Sequence, residues 1–228
     1  MIGFVIALKN ELPNLLKEFI NFSVLKQNGY DIFIWKQHNH SACLIYSGVG
    51  KVNAAMATQT LINSCKVTNI INIGSCGAIK PNVHLNNVII PKIVSYFDID
   101  LTAFGYEPNR LPHLPVQFKI DQALIKKIRK ILQPLNYKIS HDELVTGETF
   151  INQNNFKNFK ISKNAIVVDM EGAAIVQTCK HNNIPCVIIK IVSDSIFDKN
   201  KNEISWKNNI LPISKIINQT FSSLVFKL

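Results

Sequence analysis

Short apolar runs alternate with longer stretches of helical spacing along this chain, and the alternation predicts strand and helix in turn. IGFVIA (2–7) predicts a first buried strand, and residues 11–19 a helix with Pro13 tolerated in its first turn. YDIFIWK (30–36) and SACLIYS (41–47) predict two strands, the second ending at SGVGKVN. Apolar positions at helical spacing follow over 52–63. TNIINIG (68–74) reads as a short buried strand that stops at GSCGAIKP. NNVIIPKIVSYFDID (86–100) is strand-like, with Pro91 at a bulge or edge. A proline-containing loop, FGYEPNRLPHLP (104–115), leads to a helix over 121–132 and a strand near 142–145. After the turn TGETFINQ come a strand through Ile166, Val167 and Val168, a buried helix over 173–179, a strand PCVIIKIVSD (185–194), and a last helix around 209–226.

This order implies an α/β fold: a central mixed, largely parallel twisted sheet flanked by helices. No repeat or linker interrupts it, so residues 1–228 are expected to form a single domain. Ligands in such folds collect at the carboxyl ends of the strands. SGVG, GSCG, TGETF, DMEG and SDS nearly all follow predicted strands, so these loops are expected to converge on one rim.

Composition narrows the classes. With 47% hydrophobic and 18% charged residues the chain has a soluble globular balance. No apolar run reaches the roughly 18 residues of a membrane span. The N-terminus lacks a basic region and places Lys9 and Glu11 directly after its apolar run, which predicts a core strand rather than a signal peptide. A net charge of +10 raises the possibility of nucleic-acid binding. Against it, only Arg110 and Arg129 offer guanidinium forks, the lysines are dispersed apart from KKIRK (126–130), and aromatic residues are not interleaved with them. The five cysteines form no metal-ligand spacing, so reduced thiols in a cytoplasmic protein are expected, without metal or cofactor.

Three carboxylates invite chemistry. Asp169 and Glu171 sit in VVDMEGAAI with hardly a polar neighbour, where an unpartnered carboxylate costs several kcal/mol or loses its charge. Glu171 suits a vicinal diol such as ribose; alternatively it accepts backbone N–H bonds at its helix start. Asp194, in KIVSDSIF, is either a turn or N-cap residue or an acid at the rim. Glu11 has helix-start stabilisation as its ordinary explanation. SGVGKVNAA (47–55) is no Walker loop, because Ile45 and Val52 occupy the places of the required Gly and Ser/Thr. It is a tight turn or a close backbone approach to a ligand, with Val49 facing it. NIGSCGAIKP could present Ser75 and Gly77 to the same ligand.

Taken in order, IGFVIALKNE, SGVGKVNAA, NIGSCGAI, YFDIDLTAFGYEPNRLP, TGETFIN, VVDMEGAAI and VIIKIVSDS resemble the nucleoside phosphorylase and nucleosidase superfamily. The resemblance is strongest to the 5′-methylthioadenosine/S-adenosylhomocysteine nucleosidases. It implies that Asp194, with Ser193 beside it, protonates or shares a proton with the imidazole-ring nitrogen of adenine, and that Glu11 activates the attacking water. Glu171 would bind the ribose hydroxyls and Met170 the sugar face. Phe150 would stack on adenine and the Ile151 backbone read its edge, with Ser75 and Gly77 lining the pocket. Val49, Leu101 and Phe104 would sheathe the 5′-alkylthio group, and Trp206 would be the aromatic lid. The family also implies a homodimer in which the loop from Tyr106 to Pro112 reaches the neighbour's site.

N-glycosidic cleavage needs a proton for the purine, negative charge near an oxocarbenium-like sugar and a base for water, which three carboxylates can supply. Lys190 departs from the family's usual Arg near Asp194. Rival readings are a purine nucleoside phosphorylase, a futalosine-type hydrolase and a non-catalytic nucleoside-binding protein. The loop ALKNE, with Lys9 but neither Arg nor Gly, argues against phosphate as the nucleophile.

Overall fold

A computed structural model describes residues 1–13, 15, 19–37, 40–137, 139–140, 142–198, 202–225 and 227. Its strands are β1 (Ile2–Ile6), β2 (Ser23–Gln27), β3 (Tyr30–Gln37), β4 (His40–Tyr46), β5 (Asn69–Ala78) and β6 (Val88–Ile89). They continue with β7 (Ile93–Tyr96), β8 (Gln117–Lys119), β9 (Ile139–Ser140), β10 (Glu143–Thr146), β11 (Ala165–Asp169) and β12 (Cys186–Ser195). The α-helices among the described residues are α1 (Lys51–Cys65), α2 (Gln122–Leu132), α3 (Gly172–His181) and α4 (Asn202–Leu224). All these strands join one mixed sheet, ordered β2-β3-β4-β1-β5-β11-β10-β7-β8, with β12 against β5 and β6, and β9 on β6.

The centre of that sheet is buried because its strands are nearly all apolar. Every residue of β1 is buried, as are Ile70, Ile71 and Ile73 on β5 and the run from Cys186 to Asp194 on β12. Each Ile, Val or Phe so buried contributes about 1.5–3 kcal/mol. Helix α1 packs against β1, β4 and α3, while α4 packs along β12. Asp121 starts α2 by accepting from the Leu124 N–H at 2.6 Å.

Several boundaries differ from the sequence reading, each for a physical reason. The strand expected over 68–74 runs on through GSCGA, because β12 pairs with it all the way to Ala78. The stretch 86–100 is two strands on different parts of the sheet. Pro91 separates β6, which pairs with β12 and β9, from β7, which pairs with β10 and β8. The last helix starts at Asn202, well before 209, and carries Pro212 inside it. Strand β2, whose residues are all exposed, was not expected; Asn28 (φ 51°) and Gly29 (φ 81°) turn it back onto β3 as a hairpin. The helix expected over 11–19 falls partly on residues 14 and 16–18, outside the described residues; before it, Lys9–Glu11 form a 3-10 turn.

Strand β5 organises the site. On one edge it pairs with β1 as far as Asn72 and with β11 only from Gly77, so backbone pairing lapses over residues 73–76. On the other edge β12 runs beside it, with a bulge between Val192 and Asp194. The extra residue puts Asp194, rather than Ser193, opposite Gly77.

Candidate active site

The interruption in β5 pairing is filled by Glu11. Its Oε1 accepts the Ser75 N–H at 2.7 Å and the Ser75 hydroxyl at 2.8 Å, and its Oε2 accepts the Leu8 N–H at 3.0 Å. Both ordinary and functional explanations therefore apply: one oxygen closes the 3-10 turn, while the carboxylate is fixed at the rim by another strand. Glycine leaves it room. A Cβ on Gly74 would lie 3.0 Å from Glu11 Oε1, and one on Gly77 would lie 3.1 Å from Asp194 Oδ2. The GSCG stretch thus makes room for two carboxylates.

Glu171 does not cap the helix it starts. The Asp169 Oδ2 atom accepts the Gly172 N–H at 2.9 Å, and the Asp169 carboxylate also accepts the Thr146 hydroxyl. Freed from that role, Glu171 accepts the Gly50 N–H and the Lys190 ammonium, each at 3.3 Å. Lys190 is 1% exposed and lies 2.9 Å from Asp169 Oδ2, so one buried cation serves two carboxylates. Burial alone would lower the proton affinity of Lys190, but Asp169 and Glu171 outweigh it and hold the ammonium above the ordinary lysine range. Burial pushes Glu171 up to about 7, with Lys190 pulling in the opposite direction. Lys190, standing where the family has an Arg, thus pairs with Asp169 and Glu171, while the bulge in β12 turns Asp194 to the other face of the strand.

Asp194 is not a turn residue either. Asp198 takes that part, accepting the Ser195 N–H at 3.0 Å. Asp194 stays within β12, 4% exposed, with Oδ1 at 2.7 Å from the Ser193 hydroxyl and Oδ2 at 3.1 Å from the Asn202 amide. Burial pushes its carboxyl up to about 6; the Ser193 and Asn202 donors oppose this, while Asp198 and Glu203 reinforce it.

Glu11, Glu171 and Asp194 line one cavity of about 270 Å³. Val49, Ser75, Gly77, Phe150, Ile151, Met170, Ser193 and Trp206 share its wall, and Trp206 Nε1 reaches Ser75 Oγ at 3.4 Å. Two loops that frame it are tied together: the Lys51 N–H donates to Glu148 at 2.7 Å, and Lys51 Nζ pairs with Asp98 at 2.8 Å. Leu101, Phe104, Tyr106 and Pro112 are not on the wall of this chain's cavity. The sleeve expected of Leu101 and Phe104 is therefore not formed within a single copy of the chain. They lie at a 3-10 turn on the loop between β7 and β8, and Phe104 is 78% exposed. The sequence reading also missed Asn202, which only the early start of α4 brings to Asp194, and the Thr146–Asp169–Lys190 network. Their one prior signal was a Lys at the centre of an otherwise apolar strand.

The chain matches the model of the phosphorylase superfamily over residues 1–213. A 5′-methylthioadenosine/S-adenosylhomocysteine nucleosidase from Buchnera aphidicola is 37% identical over 214 residues, 92% of this chain and 90% of its own. The crystal structure of the Neisseria meningitidis nucleosidase of that name, in complex with methylthio-immucillin-A, is 26% identical with a TM-score of 0.86, covering 100% of this chain and 99% of its own. A futalosine hydrolase mutant from Helicobacter pylori shares the fold at a TM-score of 0.87 and 20% identity, covering 98% of this chain and 97% of its own. The chain belongs to the phosphorylase superfamily and, within it, to the 5′-methylthioadenosine/S-adenosylhomocysteine nucleosidases.

Proposed function

We propose that this cavity hydrolyses the N-glycosidic bond of 5′-methylthioadenosine and S-adenosylhomocysteine, and of 5′-deoxyadenosine, releasing adenine and the 5′-substituted ribose for methionine salvage and recycling of S-adenosylmethionine by-products. The observation that carries the reading is the meeting of Glu11, Glu171 and Asp194 around one cavity whose remaining wall is largely apolar.

Each carboxylate is suited to one step. Asp194, raised to about 6, is protonated in about one molecule in ten at pH 7 and can give that proton to the departing purine. Glu171, raised to about 7 and so ionised in about half of the molecules at pH 7, presents its carboxylate to the ribose hydroxyls, and in that charged form, with Glu11, stabilises the cationic sugar. Glu11, held by Ser75 and Leu8, takes the proton of the attacking water. Phe150 and Ile151 bind adenine, Met170 packs on the sugar, and Val49 and Trp206 bound the 5′ group. A phosphate in the place of that water would meet the Glu11 carboxylate, and the loop after β1 holds Lys9 but no arginine.

Assembly as a homodimer follows from the same reading. Phe104 on the β7–β8 loop and Val52 and Met56 on α1 are exposed at 78%, 68% and 53%. A second copy would cover them and bring its Tyr106 and Pro112, with Leu101 and Phe104, to the 5′ end of the cavity. The five cysteines, all free and buried, support a cytoplasmic location. No helix among the described residues is long and apolar enough to cross a membrane.

The test is adenine release from methylthioadenosine, S-adenosylhomocysteine, inosine and a futalosine analogue, each with and without phosphate. Release from the first two at equal rates in both conditions is expected. Strict dependence on phosphate, or turnover confined to the futalosine analogue, would overturn the reading.

A further inference from the structure

Asn202 opens α4 and is 3% exposed, yet it is not on the cavity wall. It stands behind the acid. Its Nδ2 donates to the Ile151 carbonyl at 2.8 Å and to Asp194 Oδ2 at 3.1 Å. Both partners are acceptors, so the amide nitrogen rather than the oxygen must face them. One NH₂ group thereby uses both of its protons to join β12 to the loop after β10. These are the strand that carries the acid and the backbone assigned to the purine edge.

We propose that Asn202 is a positioning residue for this reaction, holding Asp194 and the Ile151 carbonyl at a fixed spacing on a single amide. The inference rests on the nucleosidase reading for its chemistry, though not for its geometry. It gives α4 a second duty beside carrying Trp206: the helix start sets the separation between Asp194 and the Ile151 backbone.

The charged surroundings define what the amide does to the acid. Asp198 on the turn after β12 and Glu203 on α4 both raise the proton affinity of Asp194. Lys207 on α4, Glu11 and Cys76 line the same cavity. Lys190 engages Asp169 and Glu171 instead. Asn202 donates to the charged form of Asp194 and so favours it. Removing that donor leaves burial, Asp198 and Glu203 opposed by Ser193 alone, and the proton is held more tightly.

Asn202→Ala and the isosteric Asn202→Asp test this. Activity requires the protonated acid and falls as pH rises through its pKa, so a higher pKa moves the alkaline limb of kcat/KM upward. We expect Asn202→Ala to move that limb up by at least about half a pH unit and to lower kcat/KM roughly tenfold. Asn202→Asp, which adds negative charge, should move the limb further the same way. A fall in rate with the limb unmoved in both variants marks a merely structural residue and overturns the proposal. If the alanine variant does not fold, as judged by thermal unfolding, the Asp variant carries the test.

Carboxyl ¹³C NMR of aspartate-labelled protein, with Asp194 assigned through Asp194→Asn, reads the same shift without turnover. A wild type that releases no adenine would sink the nucleosidase reading, while an unmoved resonance in the Asn202 variants would sink this one.

Discussion

In the acid role proposed for Asp194, the requirements of catalysis and of folding oppose each other. A carboxyl raised to about 6 is useful as an acid near neutrality, but ionising it in the folded chain is costly. The folded state binds this proton more tightly than the unfolded state, so the stability it lends is complete below about pH 4. That stability is lost as pH rises through about 6. Asp194→Asn, which cannot ionise, should lose at least about 10²-fold in adenine release. It should also be more stable than wild type at pH 8, on the order of 2 kcal/mol, with the difference vanishing near pH 4. Thermal unfolding across this range checks the sign: a variant equally destabilised at both pH values would show that burial does not tax the acid. Glu11→Gln should lower kcat with little change in KM, since Ser75 and Leu8 hold the proposed base rather than the sugar. Full kcat in that variant would remove Glu11 from the role of base.

Lys190 makes the opposite case, a charge whose value lies in its neighbours. Lys190→Met leaves Asp169 and Glu171 buried without their cation and should cost about 3–5 kcal/mol of stability. Its KM should rise as the hold on Glu171 slackens, and Lys190→Arg should restore much of both. Denaturant unfolding and steady-state kinetics on the pair decide it; a methionine variant as stable as wild type would mean that the two carboxylates do not depend on the lysine.

Among the elements, the bulge in β12 and the glycines of β5 work together. The bulge turns Asp194 toward the cavity, and Gly77 leaves the space it enters. Gly77→Ala would set a Cβ 3.1 Å from Asp194 Oδ2, so we expect a loss of activity larger than the loss of stability. Unimpaired turnover would show that Asp194 has room to spare. Apolar runs made the central strands legible in advance, because β1, β5, β11 and β12 are buried and need no alternation. Their ends were not, since GSCGA and VSDS look like loops until one sees that each pairs with the other. The hairpin of β2 and β3 went unread despite the turn pair Asn28-Gly29, because the exposed strand beside it carries little apolar signal. A bulge has no local sequence signature here, so the faces of Lys190 and Asp194 could not be told apart from their spacing.

On the scale of the whole molecule, the convergence of distant loops was legible because parallel strands share one carboxyl-terminal rim. The 5′ end was less legible, because the resemblance names Leu101 and Phe104 without saying which copy supplies them. Phe104 is exposed and off the cavity wall, and in the homodimer proposed above a second chain covers that end. Sedimentation should find a dimer, and Phe104→Asp should raise KM for methylthioadenosine while weakening the dimer; a fully active monomer would contradict it. The most direct measurement on the central claim is the fate of oxygen during turnover of methylthioadenosine in H₂¹⁸O. The account predicts one ¹⁸O atom in the released sugar at C1 and none in adenine, lost in step with adenine release when Glu11 or Asp194 is replaced. A sugar 1-phosphate, or a sugar without the label, would contradict it.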